Sequence, residues 1–362
     1  MDIQYNLKPK SERRTEAFKP EKTLPFGLLR TDHMFIMDYE DGQWINPRIV
    51  PYSPIELSPG AIVLHYAQAI FEGAKAFMHD DNEIYTFRID KNARRMNKSA
   101  EILCMPQVPE EMQIEAIHAL IDVDRLWFPI QEGASLYIRP FMFATEDSLG
   151  VHPSSTYKFM VILSPSGPYY PKGFTEPIRL LITKRFHRVP PGGTGAAKAA
   201  GNYAASLQVA EFAKKFKATQ VLYLDTTNTY IEEAGTMNHY HIMKDGTVVI
   251  PEFTDTILRS ITSESVMELS GRMGIETRQE RIKIDEFIEG IKSGDIIEAG
   301  GFGTAAVVSP VGEYVFEDGS IITVNDNKIG EITKKIYEYY TGVQTGKIEA
   351  PEGWLKKVEK RV

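Results

Sequence analysis

Short apolar runs alternate with amphipathic stretches along the chain, and this alternation predicts a mixed fold of strands and helices. After a polar lead at 1–30, four runs rich in β-branched and aromatic residues are predicted strands, at 34–39, 83–87, 135–143 and 158–164. Apolar residues at helical spacing predict two helices between these strands, at 91–103 and 110–126. The first half of the chain is therefore expected to form a small α/β domain.

A proline- and glycine-rich segment, SPSGPYYPKGFTEP at 164–177, suits neither a helix nor a central strand and marks a domain boundary. We expect an N-terminal domain at 1–165, with 1–30 as an extended lead, a linker at 166–177, and a larger C-terminal domain at 178–362. The strands predicted for the second domain are 178–184, 220–224, 239–243 and 247–251, the last two joined by a hairpin at Asp245 and Gly246. Its predicted helices are 202–216, 263–273, 284–293 and 328–341.

The length, charge and cysteine content of the chain exclude several classes of protein. The chain has 362 residues, enough for about two domains with a core each. Its 41 Lys and Arg against 49 Asp and Glu give a net charge of −8, which disfavours nucleic acid and anionic lipid as partners. The apolar stretch at 61–71 is too short to cross a bilayer, and the charged N-terminal residues lack a secretory signal. With Cys104 as the single cysteine, disulfides, thiolate zinc sites and iron–sulfur clusters are excluded and a cytoplasmic location is expected.

The most unusual segment is PPGGTGAAKAAGNY at 190–203, in which a lone lysine, Lys198, stands among glycines and alanines. Residues without bulk let the backbone approach a ligand closely, and an amine that loses hydration favours its neutral, nucleophilic form. This environment suits a lysine that forms a Schiff base; a solvated lysine on a surface loop is the alternative. The segment fits neither the GxxxxGKS/T nor the GxGxxG phosphate loop, and the chain contains no GxSxG or HExxH motif.

Three further segments are candidates for a ligand site. In EEAGTMN at 232–238, an acid at a strand end would face a cleft and could hold a ring nitrogen protonated, with an acidic turn as the alternative. The residues 260–262 precede a predicted helix, where backbone N–H groups favour phosphate, although many such starts are only caps. The segment GGFGTAA at 300–306 is predicted to be a glycine-rich turn that offers backbone donors.

Charged and metal-binding side chains give a second set of candidates. Arg139 lies in an otherwise apolar strand pattern and needs an anion, either a ligand carboxylate or the acid of a buried ion pair. Arg95, taken alone, is interpreted as a solvated residue on a helix. His239 and His241 share one face of a predicted strand, as metal ligands would, but no third ligand is near and no metal is expected.

Five motifs follow one another along the chain: FEGAKAF at 71–77, YIRPF at 137–141, GGTGAAKAAGNY, EEAGTMN and GTAAVVSP at 303–310. In this order and spacing they closely resemble the branched-chain amino acid aminotransferases, pyridoxal-phosphate enzymes of fold type IV, from about Leu24 to the C-terminal region. The resemblance implies an α/β (mixed α+β) two-domain fold with pyridoxal 5'-phosphate at the domain interface. It also implies a homodimer or a larger assembly, in which Leu149 and Val151 cover the pocket of the other subunit.

The resemblance implies a cofactor role for several residues. Lys198 would bond to the cofactor and, once displaced by the substrate amine, would shuttle the proton between substrate and cofactor. Glu233 would keep the pyridine nitrogen protonated, with Glu232 as a bystander, and Tyr203 would bind the phenolic oxygen. The residues implied for the phosphate are Arg95, Ile261, Thr262 and Thr304.

The resemblance also implies how substrates bind. The α-carboxylate would meet Thr236 and Ala305, and Arg139 with Tyr137 would bind the distal carboxylate of glutamate. The side-chain pocket would be lined by Tyr66, Phe71, Tyr137 and Tyr169. The implied reaction is reversible amino transfer between L-leucine, L-isoleucine or L-valine and 2-oxoglutarate, so the expected partners are small amino acids and 2-oxo acids.

The chain departs from the family at three places, and two alternative functions stay open. Mammalian relatives carry a redox-active CxxC where this chain has Ala306 and Ser309, and the phosphate-loop pattern PGVTR becomes RSITS at 259–263, without its glycine and its arginine. Ala196 and Ala197 beside Lys198 are smaller than the residues that some relatives carry. Within the same fold, a D-amino acid aminotransferase or an aminodeoxychorismate lyase is the nearer alternative, although the YIRP arginine and the long lead favour the branched-chain group. A phosphometabolite-binding protein without covalent chemistry is the alternative from another class, and it would make Lys198 dispensable.

Overall fold

A computed structural model describes residues 1–167 and 174–361, and these form two compact units. The first unit contains the described residues up to 167, Ala197–Gly201, and the chain from Gln344 on; the second contains 174–196 and Asn202–Val343. The division falls inside the predicted linker 166–177, half of which lies outside the described residues. The sequence predicts Lys198 and the C-terminal segment in the second domain, whereas backbone hydrogen bonds tie both to the first unit.

The first unit is built on a nine-stranded sheet, mostly antiparallel. Numbered along the chain, its strands are β1 (Gln4–Tyr5), β2 (His33–Glu40), β3 (Gln43–Pro51), β4 (Ala69–Phe71), β5 (Ala74–Met78), β6 (Ile84–Phe87), β7 (Ser135–Ala144), β8 (Tyr157–Ser166) and β18 (Leu355–Lys357). The order is β1-β3-β2-β8-β7-β5-β6-β18, and β4 pairs with β7 beside this path. The helices of this unit are α1 (Ile62–Tyr66), α2 (Ile89–Ile102) and α3 (Glu110–Val123).

The two faces of this sheet have different surroundings. Phe35 and Phe159 belong to a core that also takes in buried side chains of α2 and α3, such as Met96 and Leu120. Because successive strand residues point to opposite faces, Tyr137, Arg139 and Phe141 of β7 share the face turned away from this helical core. That face carries the predicted substrate residues.

The second unit is built on another nine-stranded sheet, of mixed direction. Its strands are β9 (Ile178–Ile182), β10 (Gln220–Leu224), β11 (Ile231–Ala234), β12 (Met237–Met243), β13 (Val248–Pro251), β14 (Thr277–Glu280), β15 (Ile296–Gly303), β16 (Val307–Phe316) and β17 (Ile321–Thr323). The order is β11-β10-β9-β16-β15-β12-β13-β14, with β17 on β16. The helices of this half of the chain are α4 (Ala200–Ala205), α5 (Leu207–Lys214), α6 (Ile261–Met273), α7 (Ile284–Ser293) and α8 (Glu331–Gln344).

Each predicted strand overlaps an observed strand, and each predicted helix overlaps one or two observed helices. The helix predicted at 202–216 is divided at Ser206 into α4 and α5, so that prediction is wrong as a single helix. The glycine-rich turn predicted at 300–306 is shorter, because β15 continues to Gly303. Among the described residues, no helix is both long enough and apolar enough to cross a bilayer.

Candidate active site

Lys198 is held between strand β4 and helix α2. Its backbone N–H donates to Oγ of Ser99 over 2.9 Å, and its carbonyl oxygen accepts from the Phe71 N–H over 3.1 Å. Its Nζ lies 4.7 Å from the centroid of the Phe71 ring. The next residue, Ala199, is buried and forms a β-bridge with Ile70. The absence of bulk at 199 lets the lysine segment approach β4 at backbone distance.

A fully buried acid, Glu72, follows β4 and forms a bidentate ion pair with Arg95 of α2. Arg95 donates from Nε to Oε1 over 2.7 Å and from Nη2 to Oε2 over 2.9 Å. Oε2 also accepts from Nδ2 of Asn92 over 2.8 Å and from the Gly73 N–H over 3.2 Å. Burial alone would raise the pKa of Glu72, but the charge and hydrogen bonds of Arg95, the charge of Lys198 and the Asn92 hydrogen bond lower it overall.

This pairing corrects one interpretation of the sequence. Arg95 is not a solvated surface residue, since its side chain is only 12% exposed, whereas the adjacent Arg94 is 60% exposed. A guanidinium that is fixed by a buried carboxylate loses little freedom when it binds a further anion, which suits the phosphate role that the resemblance implies.

Arg139 lies among aromatic rings rather than acids. Its guanidinium carbon is 4.7 Å from the centroid of the Phe71 ring and 5.3 Å from that of Tyr137, and Nη2 donates to the Tyr137 hydroxyl over 2.9 Å. Its Nε is buried without a hydrogen-bond partner, and no carboxylate in the described chain pairs with it. The alternative of a buried ion pair is therefore wrong within the described residues, and the guanidinium can take an external carboxylate.

An apolar groove of about 450 Å³ opens beside these residues. Phe71 and Arg139 line it together with aliphatic and aromatic side chains such as Val63, Phe141 and Phe143. Such a lining suits an aliphatic group better than a polar one.

The loop that carries Leu149 and Val151 is hydrogen-bonded to α1. The hydroxyl of Tyr66, itself 42% exposed, donates to the Leu149 carbonyl oxygen over 2.5 Å. Leu149 and Val151 are 70% and 83% exposed. Two aliphatic side chains of this loop are thus presented to solvent in the single chain.

In the second unit, Glu233 lies on β11 within a small cleft. Nε of Arg188 is 3.2 Å from Oε2 of Glu233, and the Leu258 N–H donates to Oε1 over 2.8 Å. Tyr203 and Thr236 line the same cleft. The structure therefore brings three predicted residues together: Tyr203, Glu233 and Thr236.

The two neighbouring acids of EEAGTMN have different surroundings. Glu232 is buried as well, but its Oε1 accepts from the Thr256 hydroxyl and its Oε2 has no hydrogen-bond partner within the described chain. Burial raises the pKa of Glu232. Because only Glu233 is paired with a cation, it is the better acid to remain ionised and to hold a ring nitrogen protonated.

The N-terminus of α6 has the donors that a phosphate needs. Ser260 caps the helix, since its Oγ accepts from the Ser263 N–H over 3.1 Å. No acceptor in the described part of the chain engages the N–H groups of Ile261 and Thr262. The Ser263 hydroxyl is buried without a partner among the same residues. Unused donors at a positive helix end fit a phosphate group, even though the family's glycine is absent here.

The remaining predicted residues are placed less informatively. Thr304 and Ala305 lie in the turn between β15 and β16 and are half-buried. Tyr169 lies outside the described residues. Three residues that contact predicted site residues were not predicted from the sequence: Glu72, Arg188 and Ser99. Of these, Glu72 had a sequence signal, because it lies inside the FEGAKAF motif.

Residues 69–313 match the protein family described as amino-transferase class IV. The chain is 44% identical over 347 residues to branched-chain-amino-acid aminotransferase 2 of Bacillus subtilis, with 95% of each chain covered. Among solved structures, it is similar to the branched-chain amino acid aminotransferase of Escherichia coli, with a TM-score of 0.75 and 26% identity over 91% of this chain and 99% of that one. Another solved branched-chain amino acid aminotransferase, which holds pyridoxamine 5'-phosphate, gives a TM-score of 0.73 at 25% identity over 89% of this chain and 98% of that one.

The chain therefore belongs to the class IV aminotransferase family. It is a transaminase, and its curated relatives bear the name of branched-chain-amino-acid aminotransferase. These findings confirm the predicted family and the fold class, and they bear out pyridoxal 5'-phosphate as the expected cofactor. The roles of individual site residues stay predictions.

Proposed function

We propose that this chain is a cytoplasmic, pyridoxal-phosphate-dependent transaminase that exchanges the amino group between L-leucine, L-isoleucine or L-valine and 2-oxoglutarate. The observation that carries this proposal is Arg139, a cation beside an apolar groove whose Nε–H has no partner within the described residues. An apolar groove favours a branched aliphatic side chain, and the free donor favours the distal carboxylate of glutamate. One pocket with both features accepts the two substrate types that such a reaction needs.

Pyridoxal 5'-phosphate supplies a carbonyl carbon for the substrate amine and a ring that accepts electrons. The phosphate would be held by Ile261, Thr262, Thr304 and Arg95. Glu233, kept ionised by Arg188, would hold the proton on the ring nitrogen, and Tyr203 would donate to the phenolic oxygen.

The chain's own residues then orient the substrate and move its proton. Thr236 and the backbone at Ala305 would bind the α-carboxylate. Tyr66, Phe71 and Tyr137 would exclude water around the side chain, with Tyr169 as a fourth lining residue. Nζ of Lys198, once displaced by the substrate amine, would take the proton from the substrate α-carbon, because a well-positioned amine is a competent general base.

Borohydride reduction of the purified protein tests the role of Lys198. We expect a yellow protein in which reduction attaches the phosphopyridoxyl group to the peptide that contains Lys198, as read by mass spectrometry. Lys198→Ala should abolish both the label and the transfer from L-leucine to 2-oxoglutarate. Lys184→Ala, at an exposed lysine after strand β9, is the control and should keep both. Transfer at the wild-type rate by Lys198→Ala would overturn the proposal.

We further infer a homodimer. The support is the exposure of Leu149 and Val151, together with Leu64 at 58%, near an apolar groove in the same unit. Light scattering after size exclusion should give twice the mass of one chain. Leu149→Glu combined with Val151→Glu should lower the transamination rate, and an unchanged rate would contradict their predicted role at the other subunit's pocket.

A further inference from the structure

Helix α2 holds two parts of the site from one face. Asn92 and Arg95 bind the carboxylate of Glu72, and Ser99, one turn further on, accepts from the Lys198 N–H. The Ser99 hydroxyl donates in turn to the Arg95 carbonyl oxygen over 3.1 Å. The three side chains follow helical spacing, so the acid and the lysine backbone are fixed to the same rigid element.

Glu72 itself is fixed from the other side. Its N–H donates to the Pro140 carbonyl oxygen of β7 over 2.8 Å, and both of its carboxylate oxygens accept hydrogen bonds. The carboxylate has no exposed surface, so solvent does not screen its charge. It is the residue after Phe71, whose ring lies 4.7 Å from Nζ of Lys198, and the two charges interact.

We propose that Glu72 is a positioning residue for the cofactor site: its buried carboxylate fixes the Arg95 guanidinium in the geometry that would bind the phosphate. This inference rests on the proposed function. The carboxylate is engaged by Arg95, Asn92 and the Gly73 N–H, so it acts through Arg95. A purely structural role would change only the stability of the fold, whereas a positioning role also changes the affinity for the phosphate of the cofactor.

Three variants separate charge from geometry. Glu72→Gln removes the charge at nearly constant shape, Glu72→Asp keeps the charge but shortens the reach to Arg95, and Glu101→Gln removes an exposed acid of the same helix as a control. Urea denaturation first measures the stability of each apoenzyme. The dissociation constants for pyridoxal 5'-phosphate and for pyridoxal, which lacks the phosphate, are then measured on each apoenzyme.

We expect Glu72→Asp to weaken the binding of pyridoxal 5'-phosphate about 10-fold, because the loss of one well-placed charge-assisted hydrogen bond is of that order. Glu72→Gln should weaken it as well, Glu101→Gln should leave it unchanged, and none of the three should change the affinity for pyridoxal. If Glu72→Gln does not fold, an unchanged affinity for pyridoxal 5'-phosphate in Glu72→Asp still overturns the proposal. Equal losses for pyridoxal 5'-phosphate and pyridoxal overturn it too, whereas a wild-type protein that binds no pyridoxal 5'-phosphate would instead contradict the proposed function.

Discussion

Nε of Arg188 lies 3.2 Å from Oε2 of Glu233, and both side chains are more than nine-tenths buried. Arg188 also donates from Nη1 to the carbonyl oxygens of Gly195 and Thr256, over 3.1 and 2.6 Å. The guanidinium thus joins the acid of β11 to two loops of the same unit. Removal of one partner of such a pair leaves a buried, uncompensated charge.

The first prediction concerns the stability of this pair. Arg188→Met should lower the free energy of unfolding of the apoenzyme by about 3 kcal/mol, because Glu233 would stay buried without its cation. Urea denaturation followed by far-UV circular dichroism measures the change. Arg185→Met is the matched control, since Arg185 is 63% exposed and its ion pair is long, 3.7 Å; it should cost less than about 1 kcal/mol. Equal losses for the two variants would contradict the predicted importance of the buried pair.

The second prediction separates two adjacent acids. Glu233→Gln should lower kcat for L-leucine by about 100-fold or more, because an amide cannot stabilise a protonated ring nitrogen as a carboxylate does. Glu232→Gln should leave kcat within about threefold, since Glu232 accepts from the Thr256 hydroxyl and does not line the cleft that holds Tyr203 and Glu233. Steady-state kinetics with saturating cofactor decide between them. The opposite ranking would assign the ring nitrogen to Glu232.

Local patterns predicted several elements well, and α7 shows why. Its apolar periodicity lies entirely within 284–293, and Gly294, in the left-handed conformation with φ +80°, ends it by a signal that is readable from sequence. The segment GGFG misled the prediction because glycines are typical of turns. In the structure, a Cβ on Gly300 would lie 2.4 Å from the ring of Tyr240, so that glycine makes room for a packed ring inside a strand.

The sequence predicted site residues that lie within one motif, but it did not predict contacts between residues that are distant in the chain. Lys198 stands out in its own segment, but its partner Ser99 is 99 residues away in the chain. Glu72 and Arg95 are 23 residues apart, and only the pairing of β4 with β7 and the packing of α2 bring them into contact. Arg188 has no local signal for its role, because its partner Glu233 is distant from it in the chain.

The third prediction concerns substrate choice at Arg139. Arg139→Met should lower kcat/KM for L-glutamate by about 10- to 100-fold, because a charge-assisted hydrogen bond to the distal carboxylate is lost. The kcat/KM for L-leucine should change by less than about threefold, since an aliphatic side chain makes no such bond. Arg94→Met, at an exposed residue of α2, controls for general loss of positive charge. Parallel losses for both amino acids would contradict a role in distal carboxylate binding.

Two buried histidines, His239 and His241, lie on β12 of the second unit. His239 is fully buried, and neither of its ring nitrogens has a hydrogen-bond partner within the described residues; the same holds for Nδ1 of His241. Both rings pack against Phe287 of α7. Burial lowers the pKa of His239 well below its usual value, with a smaller effect from His241, and it lowers that of His241 to about 3, with a smaller effect from Arg278.

The fourth prediction follows from the sign of these shifts. Between pH 6.5 and about 3 the unfolded chain binds a proton at His241 that the folded chain does not, so stability falls as the pH falls. One such histidine contributes a slope of about 1.4 kcal/mol per pH unit in this window. His241→Asn should therefore reduce the loss of unfolding free energy between pH 7 and pH 5 by about 2 kcal/mol in urea titrations. His152→Asn, at an exposed histidine, should keep the wild-type loss, and a wild-type loss in His241→Asn would contradict the assignment.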